Sequence, residues 1–248
     1  MESTIISMWS SPRNVSTALM YSFAQRSDTK VIDEPFYGCY LQSSGADHPG
    51  KELVLNSLPT KEEEVLDKII YHDYQTSLVF LKNMAHHLLH LKSDFLSNFE
   101  NIFLIGDPRQ MLLSFIKVVP NPTMTDVAYK MQFELIEKLS VNNKAPTIID
   151  SKNLLIDPEK VLKILCDQLN ISFEPAMLSW LQGGISEDGV WAPFWYSSVH
   201  RSTGFMPFKE SNESVPKHLE DLMQECIYYY DKMKVYAIRP DQFNSLNI

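Results

Sequence analysis

"IISMWSSPRNVSTALMYSF", residues 5–23, falls into three consecutive pieces. Ile5–Trp9 is an apolar run of strand type, and a polar turn without glycine follows it. Ser16–Gln25 has a helical pattern that carries Ala18, Leu19, Tyr21, Ser22 and Phe23. A strand, turn and helix in this order aim backbone N–H groups and the positive end of a helix dipole at whatever occupies the turn. Arg13 adds a forked cationic donor suited to phosphate or sulfate. Ser16 and Thr17 stand where hydroxyls either cap a helix or bind anion oxygens. Two readings stay open on these residues: a capped helix beside a surface arginine, or an anion loop. The Lys-Ser/Thr ending of a nucleoside-triphosphate loop is absent, which removes the usual handles for triphosphate and Mg²⁺.

Outward from this unit the chain alternates. Lys30–Asp33 reads as a short strand ending at Glu34-Pro35, and residues 38–60, rich in Gly, Ser and Pro, read as a surface excursion. Glu62–Tyr71 has helical spacing, Ser77–Leu81 is a strand run, and Met84–Leu91 has helical spacing again. "NIFLI" (101–105) is a strand of buried type that breaks at Gly106-Asp107-Pro108. Gln110–Val118 and Asp126–Leu139 read as helices, "PTIID" (146–150) as a strand, and 158–169 as a helix with proline in its first turn. Strands alternating with helices predict an α/β fold, three-layer α/β/α with a central parallel sheet of four or five strands.

Composition bounds the rest. A chain of 248 residues suits one domain, 1–248, with a sizeable core. A net charge of −9 argues against nucleic-acid binding, which leaves a basic face, while a local basic pocket stays compatible with it. Cys39, Cys166 and Cys226 lie far apart without CxxC spacing, as expected for reduced thiols of a cytoplasmic protein. The first strand begins close to Met1, so no signal peptide is expected, and no run approaches the roughly 20 apolar residues of a membrane span.

Three segments carry a resemblance. "SPRNVSTALM" is similar to the 5′-phosphosulfate loop of sulfotransferases that use 3′-phosphoadenosine 5′-phosphosulfate (PAPS). Pro12, Arg13, Asn14, Ser16 and Thr17 match it, and Val15 replaces the family's glycine. "NIFLIGDPRQMLLSF" resembles the family's 3′-phosphate segment, with Ser114 where the phosphate-binding serine falls. "IIDSKNLLIDPEKVLKILCDQLNISFEP" resembles a late structural strand–helix unit. Together these span roughly residues 4–180, in the family's order. The resemblance implies a P-loop NTPase-like sulfotransferase fold. It also implies sulfuryl transfer from PAPS to a hydroxyl of a small-molecule acceptor, with no metal and no membrane partner.

One position departs from that pattern. Two residues before the proline the family carries an arginine for the 3′-phosphate, and here it is Gly106. Arg109 and Arg201 are the replacement candidates. Arg201 is favoured because the turn "RSTG" (201–204) offers backbone N–H groups beside the guanidinium. The expected donor site therefore comprises Ser11, Arg13, Asn14, Ser16, Thr17, Arg109, Ser114 and Arg201. The weakened motif keeps a non-catalytic anion-binding relative open as an alternative, and less so a small-molecule kinase.

Sulfuryl transfer needs charge stabilisation on the leaving oxygen and a base for the acceptor hydroxyl. Arg13 is the candidate for the first. For the second, Glu34 ends a strand at the edge where ligands bind in open α/β sheets. Strand alternation predicts that Asp33 and Glu34 point to opposite faces, so only one of them meets the cleft. The rival base is His86 or His87, since another branch of the family has a histidine after a similar strand and lysine, here Lys82. "HHLLH" also sets His86 and His90 at i, i+4, a possible metal face with no third ligand nearby. The aromatic run "GVWAPFWY" offers Trp191, Phe194, Trp195 and Tyr196 either as a lid over the acceptor or as a loop packed on the sheet edge.

Overall fold

The computed structural model describes residues 3–140 and 146–241. The expected domain, 1–248, extends past these residues at both ends. Five strands form one sheet: β1 (Thr4–Ser10), β2 (Thr29–Asp33), β3 (Leu78–Met84), β4 (Glu100–Ile105) and β5 (Thr147–Asp150). Their order is β2-β3-β1-β4-β5, and every pairing is parallel. β1 lies at the centre, and the chain moves outward from it first to one side and then to the other. All five carboxyl ends therefore share one edge, with a crevice at β1.

The sheet is buried on both faces, which is why its strands read as near-continuous apolar runs. Alternate residues serve alternate faces. Ile6, Met8, Phe80, Ile102 and Leu104 join one core; Trp9, Val79, Leu81, Phe103 and Ile105 join the other. The first core is covered by α1 (Ser16–Ala24), by α2 (Tyr37–Ser44) and by the helix Pro158–Gln168. The second is covered by the helices Pro108–Phe115, Tyr129–Leu139 and Glu220–Lys234. The fold is α/β with three layers, as expected. Cys39, Cys166 and Cys226 are buried and free. Among the described residues no helix is long and apolar enough to cross a membrane.

Several local expectations are corrected. The excursion expected at 38–60 contains α2, with Tyr37, Cys39, Tyr40 and Leu41 buried, and the helix Lys51–Ser57. Its Gly and Pro residues sit at the ends of these helices: Gly45 and Gly50 both have positive φ, as at helix boundaries elsewhere. β3 runs on to Met84, and a short 3₁₀ turn, Ala85–Leu88, replaces the helix expected at Met84–Leu91. His90 follows it at φ 69, so His86 and His90 share no helical face. The helix expected over Asp126–Leu139 breaks at Ala128, which adopts φ 61.

Candidate active site

At the carboxyl edge of the sheet opens a cavity of about 370 Å³, walled by the 12–18 loop, Glu34, Lys82, Ser114, Trp195 and Tyr196 among others. Its two ends are built differently.

The first end is the loop between β1 and α1. Gln132 is buried and donates to the carbonyls of Trp9 and Leu104 at 3.0 and 3.1 Å, tying the loop's base to β1 and β4. Ser11 donates to Gln132 Oε1 at 3.1 Å and accepts from Asn14 Nδ2 at 3.0 Å. Ser11 is thus spent behind the loop and does not line the cavity, whereas Arg13, Asn14, Ser16 and Thr17 do. Arg13 adopts φ 59. Its Nε donates to Ser114 Oγ at 2.9 Å and its Nη1 to the Trp195 carbonyl at 3.1 Å. This fixes the guanidinium at the rim and leaves further N–H groups for a ligand. No side chain caps α1 at Val15, so its first-turn N–H groups are not taken by a capping residue.

Gly106 explains itself here. A Cβ at that position would stand 1.9 Å from Asn14 Oδ1 and 2.9 Å from Ser151 Oγ. Any side chain at 106 requires Asn14 to leave. Arg109 turns away from the cavity, its Nη2 donating to the Glu213 carbonyl at 2.6 Å. Arg201 is exposed and does not line the cavity, although its neighbour Ser202 does.

The second end is a buried charge cluster. Lys82, the fifth residue of β3, points its Nζ at Asp33 Oδ1 (3.0 Å), at Glu34 Oε1 and at the Tyr196 hydroxyl (2.6 Å). Asp33 and Glu34 meet the same lysine, contrary to the alternation expected of them. Glu34 lies past the last residue of β2, and its backbone turns to φ 43, which swings its carboxyl round to the same side. Asp33 also accepts from the Tyr196 hydroxyl at 2.8 Å and from the Gly189 amide at 3.1 Å. Trp191 Nε1 donates to the Tyr196 oxygen at 2.9 Å.

Two carboxyls around one ammonium leave a charge to be settled. Burial and the neighbouring Asp33 raise the Glu34 carboxyl above its ordinary value, and Lys82 opposes them only in part. Burial disfavours the Lys82 ammonium, yet Asp33 and Glu34 together hold it above its ordinary value. Asp33 is bound on both oxygens, while Glu34 also faces the cavity. Glu34 is therefore the carboxyl placed to exchange a proton with a ligand.

His86 and His87 line the same end, buried to 3% and 1% exposure. Burial lowers His86 to about 3, and burial with the neighbouring His86 lowers His87 well below its ordinary value. Both imidazoles are neutral at physiological pH and poor proton acceptors. His87 Nε2 stands 3.7 Å from Glu34 Oε2, and its ring stacks on Tyr37 at 4.7 Å. His48, from the stretch read as an excursion, also lines the cavity and pairs with the Tyr37 hydroxyl at 2.8 Å. The aromatic run divides: Trp195 and Tyr196 wall the cavity, Trp191 packs beneath, and Phe194 is 45% exposed. Among the described residues no cluster of His, Cys, Asp or Glu could hold a metal ion.

Lys82, Asp33, Tyr196 and His48 are the site residues that the motifs do not flag. Of these only Lys82 leaves a trace in the sequence, as a lone charge inside an otherwise apolar strand, where burial demands a partner.

This arrangement can be set beside known proteins. Two proteins of Arabidopsis thaliana, branched-chain-amino-acid aminotransferase-like proteins 2 and 1, are 37% and 38% identical over 94% and 95% of the chain. The chain spans 42% of the length of each. The sulfotransferase domain of a cyanobacterial (Synechococcus PCC 7002) olefin synthase superposes with a TM-score of 0.57 at 17% identity, covering 96% of this chain and 97% of that one. The sulfotransferase domain from the curacin biosynthetic pathway gives 0.52 at 18% identity, covering 96% and 99%. These likenesses are of fold. The family model for the sulfotransferase domain matches residues 4–237, and the chain belongs to that family.

Proposed function

We propose that the chain moves a sulfuryl group from PAPS to a hydroxyl of a small-molecule acceptor, with Glu34 as base and Arg13 at the leaving oxygen. The observation that carries this reading is the pairing of a buried, raised carboxyl with a fixed guanidinium on one cavity wall. The acceptor hydroxyl gives its proton to Glu34 Oε2 as its oxygen bonds to sulfur. The bond from sulfur to the bridging oxygen breaks, and Arg13 with the first turn of α1 takes up the charge left on that oxygen. Ser16, Thr17 and Ser114 hold the phosphosulfate end in line. Lys82 and Asp33 act as positioning residues for Glu34. Trp195 and the rings around His48 form an apolar wall for the acceptor's body.

The test is transfer itself: purified protein with ³⁵S-labelled PAPS and a panel of hydroxyl acceptors, with the product read by label and by the mass of one added SO₃. The wild type should form a sulfate ester, and Glu34→Gln should not, while both bind adenosine 3′,5′-bisphosphate. Phosphoryl transfer from ATP and Mg²⁺ would replace this reading with a kinase. Nucleotide binding with no transfer to any acceptor class would leave a binding protein.

A further inference from the structure

The cavity carries an unusual charge inventory for a site expected to hold two separate phosphates. Among the described residues, its lysines and arginines are Arg13 and Lys82. Lys82 is committed to Asp33 and Glu34 and sits with 1% of its side chain exposed. The three histidines add no charge at neutral pH, because burial lowers His48, His86 and His87 alike. One guanidinium and one uncapped helix N-terminus remain, and they are side by side in the same loop. That matches a single anionic group.

The places where a second phosphate could find a cation are closed. Position 106 has no room for a side chain while Asn14 keeps its bond to Ser11. Arg109 is turned to the Glu213 carbonyl. In the 201–204 turn, the Arg201 and Ser202 amides already donate to the Ser198 and Val199 carbonyls. The nest expected beside Arg201 is therefore spent on ending a helical turn. Gly204 is bridged to Ser179 as an antiparallel pair, and Trp180 holds Thr203 O and Ser202 Oγ at 3.2 Å each. What remains of Arg201 is an exposed side chain outside the cavity, where ion pairing is weak.

We propose that the donor site holds one anionic group and does not read a 3′-phosphate, so that adenosine 5′-phosphosulfate and PAPS serve it alike. This rests on the cavity being the donor site of the proposed transferase, and the experiment separates the two claims. Binding of adenosine 5′-monophosphate and adenosine 3′,5′-bisphosphate is measured by calorimetry at one fixed ionic strength, on the wild type, Arg109→Ala and Arg201→Ala. The expected result is affinities within about threefold of each other on all three proteins. A 3′-phosphate held by a charged hydrogen bond instead gives the bisphosphate an advantage of about 10- to 100-fold. That advantage in the wild type overturns this proposal and leaves the transferase standing, and the arginine variant that loses it names the missing cation. Failure of both nucleotides to bind overturns this proposal together with the donor-site reading.

Discussion

The two ends of the cavity hold opposite kinds of charge. At the 12–18 loop a guanidinium is anchored by Ser114 and the Trp195 carbonyl yet stays open to a ligand. Across the cavity, Lys82 is closed in by Asp33, Glu34 and Tyr196. The open end binds, because its charge has no counter-ion inside the protein. The closed end tunes, because its charges exist to set the protonation of one another. The same division governs what each end does when a residue is changed: loss at the open end costs ligand affinity, and loss at the closed end costs the fold.

The largest expected effect tests the tuned end directly. Glu34→Gln keeps the shape of the side chain and removes the base, so turnover should fall by about 10²- to 10⁴-fold. Nucleotide affinity, measured by calorimetry, should stay unchanged. A variant that keeps its turnover would move the base elsewhere.

Lys82→Met separates tuning from binding. Removing one partner of a buried ion cluster costs about 3–5 kcal/mol of stability, read by denaturant unfolding. In whatever fraction stays folded, Glu34 loses the charge that pulled it down, so the acid limb of kcat/KM should move to higher pH. An unmoved limb would mean that Lys82 does not act on the base.

Arg13→Ala should lower kcat/KM by about 10²- to 10³-fold, with stability nearly unchanged because the side chain stands at the rim. A large loss of stability would erase the contrast between the two ends.

The smallest effect is a slope. His86 and His87 titrate in the unfolded chain near 6.5, whereas His86 titrates in the fold at about 3 and His87 well below its ordinary value. Their folded values are depressed, so stability is full above pH 6.5 and falls as pH drops toward 3. Each histidine contributes at most about 1.4 kcal/mol per pH unit. His86→Phe should flatten this slope in unfolding measured across that window.

Much of the open end is legible in the sequence because it is contiguous: strand, turn and helix occupy residues 4–24, and local chemistry alone orders them. The closed end is not, because its members come from places 48 to 163 residues apart. Alternation misreads Asp33 and Glu34 because the rule holds within a strand and Glu34 lies just past one. The run after β3 looks helical by spacing, but Met84 is paired to Ser10 in the sheet, and the pairing wins over the pattern. Gly106 reads as a defect in a motif until Asn14 is seen against it.

Both residues assigned to chemistry sit in left-handed backbone, Arg13 at φ 59 and Glu34 at φ 43. A non-glycine residue there costs about 1–2 kcal/mol, and glycine would relieve it. Selection for thermal resilience alone would thus drift toward Arg13→Gly and Glu34→Gly and discard the catalyst as it hardened the scaffold. A laboratory lineage evolved only for heat tolerance should lose its function at these two codons first.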